Sequence, residues 1–134
     1  MDLELDELRL RGTQTIMRAL DEWGLNSEQI IVLLRFGGSG IRSRHLNKFR
    51  TETAFPDGDS VTRRMLELLA IIDALGTSFP RNIEARAQWM NTPHRRMRRR
   101  TPLHTMLEDG DNGVIAVRAE LDCVYAWELS GSTL

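Results

Sequence analysis

Val61, Met65, Leu68, Ile72 and Leu75 stand at i, i+4, i+7, i+11 and i+14. That is the stripe of an α-helix about four turns long, with one face that must be buried. Leu66, Leu69 and Ile71 widen the stripe, so the helix from Ser60 to Leu75 is predicted to be covered on two sides. Such a helix serves as a hinge between an N-terminal and a C-terminal module.

The flanking sequence divides into further helical segments. Ile16, Leu20 and Trp23 recur at helical spacing before Gly24, where a left-handed glycine would close the helix. Asn26 stands three residues before Gln29, the spacing at which an N-cap side chain and an N3 amide satisfy each other's backbone donors. A helix is therefore expected from Ser27 to about Arg35. Three glycines between Phe36 and Gly40 make continued helix expensive, at about 1 kcal/mol each. They mark a turn, after which Ile41, Leu46 and Phe49 anchor a short helix with a cationic outer face. Downstream, Asn82 caps a helix running to about Met90, and Thr92-Pro93 ends it. Thr101-Pro102 opens a short helix that Gly110 closes. Asn112 starts the last helix, on which Val114, Val117, Leu121 and Val124 share a face and Trp127 extends it. Residues 1–12 carry leucines at 3, 5, 8 and 10, a spacing that matches neither period, and read as an arm or accessory helix. No segment alternates with period two, so the expected fold class is all-α.

Charge excludes some functions and suggests another. The 134 residues carry a net charge of −1, which argues against a protein that coats nucleic acid nonspecifically. The distribution is uneven, however. Basic residues gather at Arg42 to Arg50 and at Arg95 to Arg100, and acids gather at Asp2 to Glu7 and near Asp57 to Asp59. The single cysteine, Cys123, rules out an intrachain disulfide and a thiolate metal cluster, and it reads as a small helix residue. No apolar run approaches the roughly 20 residues of a membrane span, and the acidic N-terminus does not resemble a secretory signal. The expected location is the cytoplasm. His45, His94 and His104 are not spaced as metal ligands, and no phosphate-cradling loop follows a strand. No metal, cofactor or catalytic residue is expected, and the chain reads as a non-enzyme.

The short helices around the glycine turn follow the helix-turn-helix plan. In that plan the second helix lies in the major groove. There arginine offers two donors to guanine, and asparagine pairs with adenine in both directions. The candidate DNA-binding residues are Ser43, Arg44, His45 and Asn47 near base edges, with Arg42, Lys48 and Arg50 nearer phosphates. A merely solvated cationic face explains the same residues.

A more specific signal lies in four ordered segments, LLAIIDALGTSFP (68–80), AQWMNTPHR (87–95), RTPLHTML (100–107) and AVRAELD (116–122). Together they resemble the Xre/MbcA/ParS antitoxin family and its C-terminal toxin-binding domain. ALDEWGLNSEQIIVLL (19–34) is similar to the family's Xre-type helix-turn-helix. The chain departs from the pattern at Arg98-Arg99, where the family usually carries Gly-Gly. It also departs at Asn91-Thr92-Pro93, and at Glu120 in place of tyrosine.

The resemblance implies a type II antitoxin that neutralises a RES-domain toxin, an NAD-consuming enzyme, and represses its own operon by binding operator DNA as a homodimer. Beyond the arm or accessory helix at 1–12, it implies an Xre-like helix-turn-helix domain with its long hinge helix at 13–78 and a toxin-binding domain at 79–134, whose tail after Trp127 reads as flexible. The implied toxin-binding residues are Trp89, Arg99, Arg100, Pro102, Leu103, Met106, Arg118 and Trp127. For Trp89 and Trp127 core packing is the alternative, and for Arg95 to Arg100 a solvated loop. A stand-alone transcriptional regulator whose C-terminal half dimerises is the alternative function.

Overall fold

The computed structural model describes residues 3–129. Its α-helices are α1 Leu3–Glu22, α2 Ser27–Leu33, α3 Asp59–Ser78, α4 Ile83–Met90, α5 Pro102–Asp109 and α6 Asp111–Leu129. Two 3₁₀ helices complete the set, Ser43–Arg50 between α2 and α3 and Arg95–Met97 between α4 and α5. Among the described residues no strand forms, and an isolated antiparallel bridge joins His94 to Arg100. The fold is all-α, as expected. The chain divides into two compact units, residues 1–69 and 70–134. The division falls inside α3, whereas the Gly76 to Pro80 signals put it after that helix.

In the first unit, α1 and α2 both pack against the 3₁₀ helix. The core contains Ile16, Met17, Leu20, Ile30, Leu33, Leu34 and Leu46. Phe36, Phe49 and Phe55 meet there with ring centroids 5.2–5.7 Å apart. Helix α1 is continuous from Leu3, so residues 3–12 are the first turns of a 20-residue helix rather than a separate arm. The leucines do not reveal this, because Leu3, Leu5 and Leu8 are exposed. The inward face is instead continued by Arg9, Gly12 and Thr13. Arg9 donates to the carbonyls of Phe55 (2.9 Å) and Pro56 (2.6 Å) and to Thr62 Oγ1 (3.0 Å). Gly12 faces Met65 and Leu69. Thr13 Oγ1 donates to the Arg9 carbonyl and accepts from the Phe55 amide. A polar stripe thus holds this part of α1 where an apolar one would be expected.

Two helix ends use one motif with different residues. After α1, the Leu25 amide reaches the Leu20 carbonyl and the Gly24 amide the Asp21 carbonyl, with Gly24 at φ 85°. After α2, Phe36 reaches Ile31 and Arg35 reaches Val32, with Arg35 at φ 64°. Both are Schellman closures, one glycine-based as predicted and one built on arginine.

In the second unit, α5 lies closely against α6 and also touches α4. The α5–α6 approach is made at Gly113, where an added Cβ would sit 2.1 Å from the Thr105 carbonyl oxygen. Asn82 caps α4 through the Ala85 amide, and Thr101 caps α5 through the His104 amide. Val114, Val117 and Leu121 of α6 are buried, as their spacing predicts.

Candidate interaction surfaces

On the first unit, the predicted basic helix is present but wound as a 3₁₀ helix over Ser43–Arg50. In a 3₁₀ helix residues three apart eclipse, whereas in an α-helix they sit about 60° apart. The tighter winding therefore brings Leu46 and Phe49 onto one buried edge and places Arg44 and Asn47 together on another. Arg42, Ser43, Arg44, Asn47 and Lys48 are exposed. Lys48 Nζ lies 5.3 Å from the centre of the Phe49 ring.

The remaining two candidates are engaged within the chain. His45 Nδ1 accepts the Arg42 amide at 2.9 Å, so the ring closes the start of the helix. Arg50 is half-buried and holds Asp21 with two hydrogen bonds of 2.8 Å. The bond to Asp21, opposed in part by burial, raises the Arg50 pKa further above its already high ordinary value. Arg50 is thus engaged within its own fold, unlike the exposed Arg42, Arg44 and Lys48.

On the second unit, the segment after α4 closes into a tight hairpin. The His94 amide donates to the Arg100 carbonyl at 3.0 Å. The His94 carbonyl accepts from Met97 at 3.0 Å and from Arg99 at 2.9 Å, and the Arg100 amide reaches the Met97 carbonyl at 3.0 Å. Met97 is buried and pins the hairpin from beneath. The Trp89 ring tilts against His94 with centroids 4.7 Å apart. Arg98 and Arg99 both adopt left-handed backbone, φ 58° and 63°, at positions where the resemblance leads one to expect glycine. Left-handed geometry costs an L-residue with a Cβ roughly 1–2 kcal/mol, so the doublet is a strained choice.

The side chains of the hairpin divide by direction. Arg100 is held by the α5 carboxylates, Glu108 at 3.1 Å and Asp109 at 2.7 Å. Arg95, Arg96, Arg98 and Arg99 are exposed. Arg96 lies 3.9 Å from Glu120 and 3.7 Å from Cys123 Sγ. Among the described residues, Arg95, Arg98 and Arg99 form no ion pair.

The implied toxin-binding residues are therefore dispersed. Arg99 and Arg100 share the hairpin, and Trp89 braces it through His94. Pro102, Leu103 and Met106 are buried, with Met106 at 1% exposure. As buried packing residues they shape the surface of α5 from beneath rather than stand out from it. Arg118 is exposed and pairs with Asp122 at 3.1 Å, beside a groove also lined by Asp73, Ala74 and Thr77. Trp127 belongs to α6, but its side chain, like the tail after Leu129, lies outside the described residues. Sequence reasoning missed His94, Asp109 and Gly113 as determinants of this region. Only the substitution of Arg98-Arg99 for glycines signalled unusual backbone there. Among the described residues no cluster of His, Cys, Asp and Glu is arranged to hold a metal, and no helix is long and apolar enough to cross a membrane.

Comparison with known proteins bears out the resemblance read from the four segments. Residues 74–125 match the family model described as the antitoxin Xre/MbcA/ParS C-terminal toxin-binding domain. The match lies within the second unit and does not take in residues 19–34. The fold is similar to that of a chain in the crystal structure of the M. tuberculosis MbcT-MbcA toxin-antitoxin complex. That similarity has a TM-score of 0.55 at 22% identity and covers 91% of this chain and 96% of that one. No curated protein matches the chain.

Proposed function

We propose that this chain, which carries over residues 74–125 the toxin-binding domain of the Xre/MbcA/ParS antitoxins, is a non-enzymatic type II antitoxin. Its second unit binds and neutralises a toxin, which on the resemblance to the family is a RES-domain, NAD-consuming enzyme. The family match over 74–125 carries the reading, and the fold shared with a chain of a toxin–antitoxin complex supports it. In this reading the protein works in the cytoplasm, as a homodimer within a larger complex. Co-expression with a RES-type toxin, sought in the neighbouring reading frame, tests the assignment. Restored growth and a co-purifying complex are expected, and failure of both would overturn it.

The same protein acts on operator DNA through its first unit. The support is the exposed edge of Arg44 and Asn47, flanked by Arg42, Ser43 and Lys48. Base-edge contacts of this kind contribute roughly 1–3 kcal/mol each to discrimination. Arg44→Ala combined with Asn47→Ala is expected to abolish sequence-specific binding of the operator, measured by gel shift. Unchanged binding would remove this helix as the reader. If operator binding persists in a protein that recognises no toxin, the stand-alone regulator is the correct reading.

A further inference from the structure

We propose that the His94–Arg100 hairpin is a rigid cationic fork that docks an acidic patch on the protein partner of the second unit. The proposal rests on the antitoxin reading above and names the surface through which it operates.

Backbone strain is the first observation. Arg98 and Arg99 occupy consecutive left-handed positions, and such strain persists only where the surrounding structure imposes it. Here the surroundings are explicit. Backbone hydrogen bonds tie His94, Met97, Arg99 and Arg100 together, Met97 is buried, and Arg100 is fastened to Asp109. Glycine would adopt the same backbone without strain.

The second observation is that the strained side chains make no hydrogen bond or ion pair among the described residues. Arg98 and Arg99 are exposed, and with Arg95 they form no ion pair among the described residues. The field of Arg98 reaches Asp109 and helps lower its pKa, but Asp109 already has Arg100. Among the described residues only this long-range attraction sets itself against the cost of side chains at these two positions, which points to a benefit in a partner.

Chemistry then selects the partner. Arg95, Arg96, Arg98 and Arg99 place four guanidinium groups on one short turn, and a guanidinium matches a carboxylate through paired donors. Arg100 displays that geometry within the hairpin, with bonds of 3.0 and 2.7 Å to the two oxygens of Asp109. The hairpin lies inside the segment that matches a toxin-binding domain, whereas the candidate DNA-reading edge belongs to the first unit. An acidic protein surface is therefore favoured over a phosphate backbone.

The test compares the full-length chain with Arg98→Gly/Arg99→Gly and Arg98→Asn/Arg99→Asn, using the co-expressed toxin as the probe. Asparagine tolerates the left-handed region and removes charge without the freedom of glycine. The glycine variant is expected to melt at a higher temperature than the parent. Both variants are expected to bind the toxin roughly tenfold more weakly and with a shallower salt dependence. Unchanged toxin affinity overturns the proposal, as does a loss of melting temperature in the glycine variant. Weakened binding to an operator DNA fragment with intact toxin binding also overturns it and makes the partner a phosphate backbone. If the parent chain itself binds no toxin, the antitoxin reading fails and takes this partner with it. Parent binding with unaffected variants removes the fork alone.

Discussion

The guanidinium of Arg100 grips the Asp109 carboxylate with two hydrogen bonds, Nη1 to Oδ1 at 3.0 Å and Nη2 to Oδ2 at 2.7 Å, across the length of α5. The bond to Arg100 holds the Asp109 pKa below its ordinary 3.8. A depressed carboxylate stabilises the fold fully above its unfolded pKa, and the contribution is lost as pH falls through the lower folded value. The pair therefore supports the hairpin at neutral pH and loses that contribution as pH falls below the ordinary aspartate value. Arg100→Gln should move the Asp109 carboxyl titration, followed by NMR, upward toward the ordinary value. A midpoint that does not move would show that the pair is absent in solution.

Gly113→Ala places a methyl group against backbone, 2.1 Å from the Thr105 oxygen and 3.0 Å from Met106 Cα. Backbone cannot swing aside as a side chain can, so α5 and α6 must separate. Overpacking of this kind costs about 3 kcal/mol, despite alanine's better helix propensity. Urea denaturation checks this, and an unchanged midpoint would show that the helices are not so close.

Arg64 is only 2% exposed and donates from Nη1 to the Leu33 carbonyl at 2.6 Å and from Nε to Glu67 at 3.0 Å. It satisfies a carbonyl that the end of α2 leaves open. Arg64→Met keeps much of the packing volume but strands that carbonyl and Glu67. A loss of about 2–3 kcal/mol is expected, read from thermal or chemical denaturation.

Phe55→Ala opens the aromatic cluster with Phe36 and Phe49, at an expected cost of about 3–5 kcal/mol. Leu3→Ser, by contrast, changes a residue that is 85% exposed and should stay within about 0.5 kcal/mol of the parent. Equal effects in the same denaturation assay would contradict the burial of the cluster.

The elements that sequence reasoning located are those closed by local chemistry. The Asn26 and Gln29 side chains do exchange their two bonds, each 2.9 Å. Gly24, Asn82 and Thr101-Pro102 mark ends where they were expected. What stayed hidden depends on partners far along the chain. The start of α1 is held by Arg9 and Thr13 through residues 55–62, so a search for apolar periodicity passes over it. The left-handed Arg35 carries no residue-type signal, and 3₁₀ winding leaves the same letters as an α-turn. In the candidate site, the resemblance pointed to Arg99 and Arg100. It could not show that Met106 and Leu103 turn inward, because that depends on how α5 packs, a tertiary fact.

The Asp21–Arg50 pair carries a thermodynamic consequence for any polyanion that meets the 3₁₀ helix. Arg50 already has its counterion built into α1, so docking a phosphate chain there displaces mobile cations only on behalf of Arg42, Arg44 and Lys48. The logarithm of the association constant should then fall against the logarithm of salt concentration with a slope of about −2.7 from this helix, rather than the roughly −3.6 that four free cations would give. A single internal carboxylate thereby tunes how strongly ionic strength governs this surface.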